Sequence, residues 1–264
     1  MQYTKDNPLR VFTAFSGYDS QCLALTRIGI PYELVGWSEI DKYAIQAHNA
    51  LFPQWAGRNY GDVCKIDWAQ VPDFDLFTYS SPCQDYSNAG LQKGGEEGSG
   101  TRSSLLWQCK RAIAIKKPRY LLQENVEALV QKKFIKQFRK WQLWLEGQGY
   151  DNFAKVLNAT EFNVPQNRKR VFMVSCLDGT NYEFPKPIPL TRSIDDIAEQ
   201  AIDDKYYLSE KGIEGFRRHN ERHEAKGTGF VWKPKEIGGQ IANTLRANGA
   251  LCPTDNTILE WRKE

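Results

Sequence analysis

The chain has 264 residues, 41% of them hydrophobic and 25% charged, with a formal net charge of +3. That length and balance suit one sizeable core with a small appended lobe, and they exclude a disordered or fibrous chain. No apolar run approaches membrane-spanning length and the opening MQYTKDNPLR is too polar for a secretion signal, so the expected setting is cytoplasmic, with no membrane partner.

Strands are expected over Arg10–Phe15, Glu33–Trp37, Asp75–Tyr79, Tyr120–Gln123, Asp151–Asn158 and Arg170–Ser175, with helices beginning near Ser20, Lys42, Ser104 and Lys133. Short apolar runs alternating with amphipathic stretches read as α/β, with strand–helix–strand crossovers on a mostly parallel sheet. The pattern holds for residues 1–177. Beyond Leu177 come Pro185, Pro187 and Pro189, then a polar, basic and aromatic stretch to about Lys235. Residues 178–264 are therefore expected to form a small second lobe. From Lys211 to Glu236 there are seven bases against four acids, an excess equal to that of the whole chain. Nucleic-acid phosphates would account for it, and so would a solvated helix face, which is the commoner reason for such a surplus.

The six cysteines show no CxxC spacing, which gives no support to a zinc site or to disulfides. His219 and His223 have helical i, i+4 spacing but no cysteine nearby to complete a set; they read as surface residues, and no metal is expected.

Chemistry concentrates at two strand ends. In DLFTYSSPCQDYSNAG, Pro82-Cys83-Gln84 follows a buried-looking strand, and Pro82 restricts Ser81 to extended geometry that aims the loop outward. A thiol at the carboxyl edge of an α/β sheet stands where such proteins place their chemistry, and nearby backbone N–H groups favour its thiolate. Some forty residues on, RYLLQENVEALV brings Glu124 to a second strand end, with Asn125 expected to tie the two loops together. A sulfur nucleophile facing a carboxylic acid suits covalent attack on a pyrimidine, because thiolate addition at C6 turns C5 into an enamine-like carbon and the acid protonates N3. The loop from Asp85 to Arg102 carries Gly90, Gly94, Gly95, Gly98 and Gly100, a density expected of a lid. In VPQNRKRVFMVS, Arg168 and Arg170 alternate and in extended geometry point the same way. At the N-terminus, Phe15 and Gly17 are expected beneath a nucleotide, with Ser20 as helix N-cap, Glu39 on ribose hydroxyls and Asp62 accepting from an adenine amine.

These runs together resemble the DNA (cytosine-5) methyltransferase family, of bacterial or phage type, from about Arg10 to Ala250 and in the family's order. The resemblance rests on FSGYDS, WSEIDKYAI, GDV, SSPCQ, TRSSLLW, QENV, VPQNRKR and GGQIANTLRANGA. It implies a Rossmann-like, mostly parallel sheet of the S-adenosylmethionine-dependent methyltransferase fold, with a catalytic and cofactor-binding domain over 1–177 and a partial target-recognition lobe over 178–264. By the same resemblance Cys83 is the nucleophile, Glu124 binds N3, Arg170 contacts the base and Arg168 supports the lid. Phe15, Gly17, Glu39, Ile40, Asp62, Val63, Pro82 and Leu105 line the site of S-adenosylmethionine, and the partner is double-stranded DNA carrying an extruded base.

Two departures stand out. The family's Gly-Gly at the end of the first loop is Asp19-Ser20 here, which is expected to restrict the backbone. The family's GNS/GNA-type turn does not follow ILEWRKE, so a second polypeptide supplying it is one expectation. A DNA-binding remnant without transfer activity and an RNA cytosine-5 methyltransferase are the competing readings.

Overall fold

A computed structural model describes residues 3–82, 94–199, 202–227, 231–245 and 252–259. Along β1 (Leu9–Ala14) the side chains alternate. Leu9 and Val11 enter one apolar cluster with Leu34, Trp37 and Phe52, while Phe12 and Ala14 enter a larger one with Trp68, Phe77 and Tyr79. Burial on both faces is why this strand is almost wholly apolar.

The main sheet also contains β2 (Tyr32–Ser38), β3 (Leu76–Tyr79), β4 (Tyr120–Val126), β5 (Asp151–Asn158) and β7 (Lys169–Cys176), in the order β2-β1-β3-β4-β7-β5. Strands β2, β1, β3 and β4 pair in parallel, and β7 is antiparallel to β4. From β1 the chain builds outward to β2, then crosses back to lay β3 on the other side. The carboxyl ends of β1 and β3 therefore face a crevice, the place where open α/β sheets bind ligands. The β1–β2 register skips one residue, pairing Val11 with Leu34 but Phe12 with Gly36. A Cβ on Gly36 would lie 2.7 Å from both Phe12 Cε2 and Tyr60 Cε2. Only glycine leaves room for the two rings.

Helices α1 (Ser20–Arg27), α2 (Lys42–Leu51), α3 (Cys109–Lys116) and α4 (Ile135–Gly147) complete this unit. The helix expected near Ser104 begins as a 3₁₀ turn, Arg102–Gln108, and becomes α-helical only at Cys109. Ser104 Oγ donates to the Thr101 carbonyl at 2.6 Å while the Ser104 amide bonds the same oxygen, which favours the tighter i→i+3 pattern there.

The chain divides into two compact units, residues 1–156 with 170–184, and residues 157–169 with 185–264. The sequence suggests a division at residue 177. Side-chain packing carries the first unit on to Phe184, because Asp178 binds Arg119 and the Phe153, Tyr182 and Phe184 rings pack in series. Residues 157–169 join the second unit through β6 (Gln166–Asn167), which pairs with β9 (Ala242–Asn243).

In the second unit α5 (Glu210–Lys226) is capped by Ser209 and stopped by Gly227 at φ +62°. Its Phe216 stacks on Trp232 at 5.2 Å, and Asn220 clasps the Trp232 backbone by N–H and C=O. Strands β8 (Lys235–Glu236) and β10 (Ile258–Leu259) pair beside it. His219 and His223 are half-buried with ring centroids 4.2 Å apart, so they are not open surface residues. No metal-binding cluster is found among the described residues.

Candidate active site

The loop leaving β1 is conformationally unusual. Phe15 has φ +56°, so the strand stops at Ala14, one residue before the expected end. Gly17 follows at φ +58° and Asp19 at φ +67°. A left-handed aromatic residue is a rare conformation that persists only where its surroundings enforce it, and such residues cluster at ligand sites.

Glu39, just past β2, supplies much of that enforcement. Its Oε2 accepts from Gly17 N at 2.9 Å, and its Oε1 from Ile40 N and Asp41 N at 2.8 and 2.9 Å. Asn59, which nothing in the sequence singles out, braces the same corner. It accepts from the Glu39 and Gly61 amides and donates to the Glu39 carbonyl. Asp62 then caps a short 3₁₀ turn, Val63–Lys65, through Cys64 N, with Val63 buried beneath and Ile40 74% exposed above the edge.

The helix cap is Asp19, one residue before the expected Ser20. Its Oδ1 accepts from Cys22 N at 3.3 Å, and its backbone is left-handed at the position where restriction was expected. Aspartate tolerates that region better than most residues because its short carboxylate bonds locally.

At the next edge, β3 and β4 end side by side. Asn125 Nδ2 donates to the Ser81 carbonyl at 3.2 Å, and Asn125 Oδ1 accepts from Val126 N at 2.9 Å. Both Ser81 and Asn125 are buried, Pro82 is half-buried, and Gln21 of α1 donates to Ser80 Oγ. Neighbouring Glu124 pairs with Arg170 of β7, Nε to Oε1 at 3.0 Å, with both side chains half-buried. Cys83 itself lies outside the described residues, as do 84–93.

The glycine-rich run re-enters at Gly94 and Gly95, which are buried. Gly95 N donates to Gln137 Oε1 of α4 at 3.1 Å, Trp107 Nε1 donates to the Gly95 carbonyl at 2.7 Å, and Thr101 Oγ1 donates to the Gly94 carbonyl. This stretch of the expected lid is pinned. Leu105, half-buried, lies on the 3₁₀ turn just beyond. Arg168 and Arg170 have different partners in the two units: Arg168 Nη1 donates to the Leu245 carbonyl, whereas Arg170 holds Glu124. Burial pushes the thiols of Cys22, Cys109 and Cys176 upward, which makes them poor nucleophiles.

The chain matches the family described as C-5 cytosine-specific DNA methylase over residues 9–255. It is 38% identical to the type II methyltransferase M2.ScrFI of Lactococcus lactis subsp. cremoris, over 78% of this chain and 71% of that protein. It is 41% identical to the orphan methyltransferase M.SssI of Spiroplasma monobiae, over 77% of this chain and 55% of that protein. The crystal structure of the S. pombe Dnmt2 methyltransferase superposes with a TM-score of 0.65 at 20% identity, covering 89% of this chain and 70% of that one, a likeness of fold. The chain thus spans between 55% and 71% of the two curated relatives it is compared with. With the match running from the first strand through the 170–176 region and into the second unit, the chain belongs to the C-5 cytosine-specific DNA methylase family.

Proposed function

We propose that this chain transfers a methyl group to C5 of cytosine in double-stranded DNA, through a transient bond between the Cys83 sulfur and C6 of a base swung out of the duplex. One observation carries the reading. The Asn125–Ser81 tie fixes Glu124 at the strand end next to the one from which Cys83 follows two residues after Ser81.

The chemistry follows from those positions. The Cys83 thiolate adds to C6, and Glu124 delivers a proton to N3 as charge builds on the ring. S-adenosylmethionine, when bound, supplies an electrophilic methyl on its sulfonium sulfur. C5, now enamine-like, takes that methyl as its bond to the sulfonium sulfur breaks and the spent donor leaves as a neutral thioether. Loss of the C5 proton to a base, expulsion of the Cys83 thiolate and return of the N3 proton to Glu124 then restore the ring. Arg170 orients Glu124 through the 3.0 Å contact from Nε to Oε1 and is the side chain we assign to the base edge, with Arg168 supporting the loop after Cys83.

The first loop suits the methyl donor. Glu39 Oε1 takes two backbone amides and Oε2 one, leaving carboxylate capacity for a ribose hydroxyl. A Cβ built on Gly17 meets nothing within 4 Å, so the loop is open on that side, and exposed Ile40 offers an apolar surface for an adenine. Phe15, Asp62, Val63, Pro82 and Leu105 complete the set.

For DNA, we assign the second unit to target recognition. Lys211, Arg218, Arg222 and Lys226 fall on one exposed stripe of α5, opposite the face carrying Phe216 and Asn220. Radiolabelled methyl transfer to duplex DNA, with tRNA as competing acceptor, tests the whole reading. Cys83→Ser is expected to abolish transfer, and Glu124→Gln to lower it about 10²–10⁴-fold. Transfer by Cys83→Ser at the native rate, or to tRNA alone, refutes it.

A further inference from the structure

The β1–α1 loop is held a second time, by a pair of buried side chains that the chemistry above does not use. The Asp19 carboxylate is fully buried. Its Oδ2 accepts from Thr13 Oγ1 at 2.8 Å and lies 3.6 Å from His48 Nε2, whose ring is also fully buried. His48 sits on α2, stacked on Trp37 of β2 at 3.7 Å between centroids and packed against Phe52. Among the described residues His48 Nε2 has no hydrogen bond at standard distance, and the nearby acceptor is this carboxylate. A small closing movement converts the approach into a hydrogen bond to a carboxylate shut off from water, an interaction of the stronger kind.

The connectivity gives the pairing its meaning. Helix α2 starts directly after Glu39, Ile40 and Asp41, and Asp41 caps it through the Tyr43 and Ala44 amides. The arm that holds Gly17 through Glu39 therefore also holds Asp19 through His48. The loop they hold carries three left-handed residues, Phe15, Gly17 and Asp19, two of them not glycine. Cys22 lies against the same carboxylate, and burial together with Asp19 pushes its thiol upward, so it remains a neutral filler.

We propose that Asp19 and His48 form a positioning pair that locks the first loop in the conformation that receives the methyl donor. The aspartate replaces a flexible glycine by a left-handed residue anchored from its side chain. This rests on the proposed methyl-donor site, and the experiments separate the two. Calorimetric titration of the full chain with S-adenosylhomocysteine reads affinity without turnover. His48→Phe keeps the stack on Trp37 but removes Nε2, and Asp19→Asn keeps the shape but removes the charge.

Each variant is expected to weaken S-adenosylhomocysteine about tenfold, and the double variant to be no weaker than the worse single one, as for two groups acting as a unit. KM for the methyl donor should rise with kcat nearly unchanged, a split that general loosening of the fold does not produce. Hydrogen exchange at the Gly17 and Cys22 amides, measured without ligand, should lose about tenfold protection in both variants. Native affinity and native protection in Asp19→Asn, or additive losses in the double variant, overturn the pair. A native chain that binds no S-adenosylhomocysteine while the exchange result holds overturns the methyl-donor site instead, and with it the pair's role in binding.

Discussion

Replacing Asn125 with alanine tests the junction between β3 and β4. Asn125 is 2% exposed and Ser81 3% exposed, so neither polar group has ready access to water. Truncation leaves the Ser81 carbonyl without the amide donor at 3.2 Å and the Val126 N–H without its acceptor at 2.9 Å. A buried polar group left unmade costs about 1–3 kcal/mol. Val126 is only half-buried and recovers part of its loss, so the total comes to roughly 2–4 kcal/mol, a large share of the about 5–15 kcal/mol that holds a domain together. Asn125→Asp should cost at least as much, since it keeps the acceptor for Val126 but sets a carboxylate oxygen against the Ser81 carbonyl. Urea unfolding followed by tryptophan fluorescence measures the loss, with an unchanged m-value showing that the same surface unfolds. Should the loop relax toward water, the stability loss shrinks and methyl transfer falls in its place, because Cys83 follows Ser81 by two residues. An Asn125→Ala chain within about 0.5 kcal/mol of the native one, and equally active, refutes the reasoning.

Gly36→Ala drives a methyl group into the Phe12 and Tyr60 rings at 2.7 Å and should cost about 1–3 kcal/mol, read as a lower melting temperature; an unchanged value means the rings turn aside without cost. Neutralising the α5 stripe one residue at a time, by Lys211→Gln, Arg218→Gln, Arg222→Gln or Lys226→Gln, should reduce the salt slope of DNA binding by about 0.9 for each phosphate no longer neutralised. A slope untouched by all four removes α5 from the DNA interface. The Asp178 carboxyl is lowered to about 2, first by the Thr180 hydroxyl at 2.5 Å and then by Arg119. Because the folded value lies below the ordinary one, its contribution is complete above about pH 4 and is lost as pH falls through about 2. A carboxyl titration by NMR with its midpoint at the ordinary aspartate value would contradict the arrangement.

Apolar runs made β1, β2 and β3 legible, because burial on both faces demands hydrophobic residues whatever the tertiary detail, whereas β5 has no fully buried residue and forms one edge of the sheet. Asn125 could be read in the same way, being a short polar side chain at a strand end beside a loop that needed a donor. Asn59 could not. Its role depends on the β2–α2 corner passing within 3.2 Å of a residue 20 positions later in the chain, and no local pattern encodes that approach. The cap at Asp19 was displaced for a related reason. Serine and aspartate are both good caps, and the choice between them was made by Thr13 and His48, which meet Asp19 only in the folded chain. Just past residue 177 the Arg119–Asp178 pair ties the chain back beside β4 after its apolar run has ended, a contact that no local pattern encodes.

The path of residues 157–169 has a practical outcome for anyone wishing to exchange the second unit between relatives. This stretch leaves β5, pairs with β9, bonds Asn163 to Thr191 and Asn167 to Thr244, and only then returns to β7. The backbone consequently passes between the two units at three places, after residues 156, 169 and 184. A chimera joined by a single splice at 184 would graft a foreign lobe onto a native stub that was shaped for a different one. A faithful transplant has to carry both pieces together.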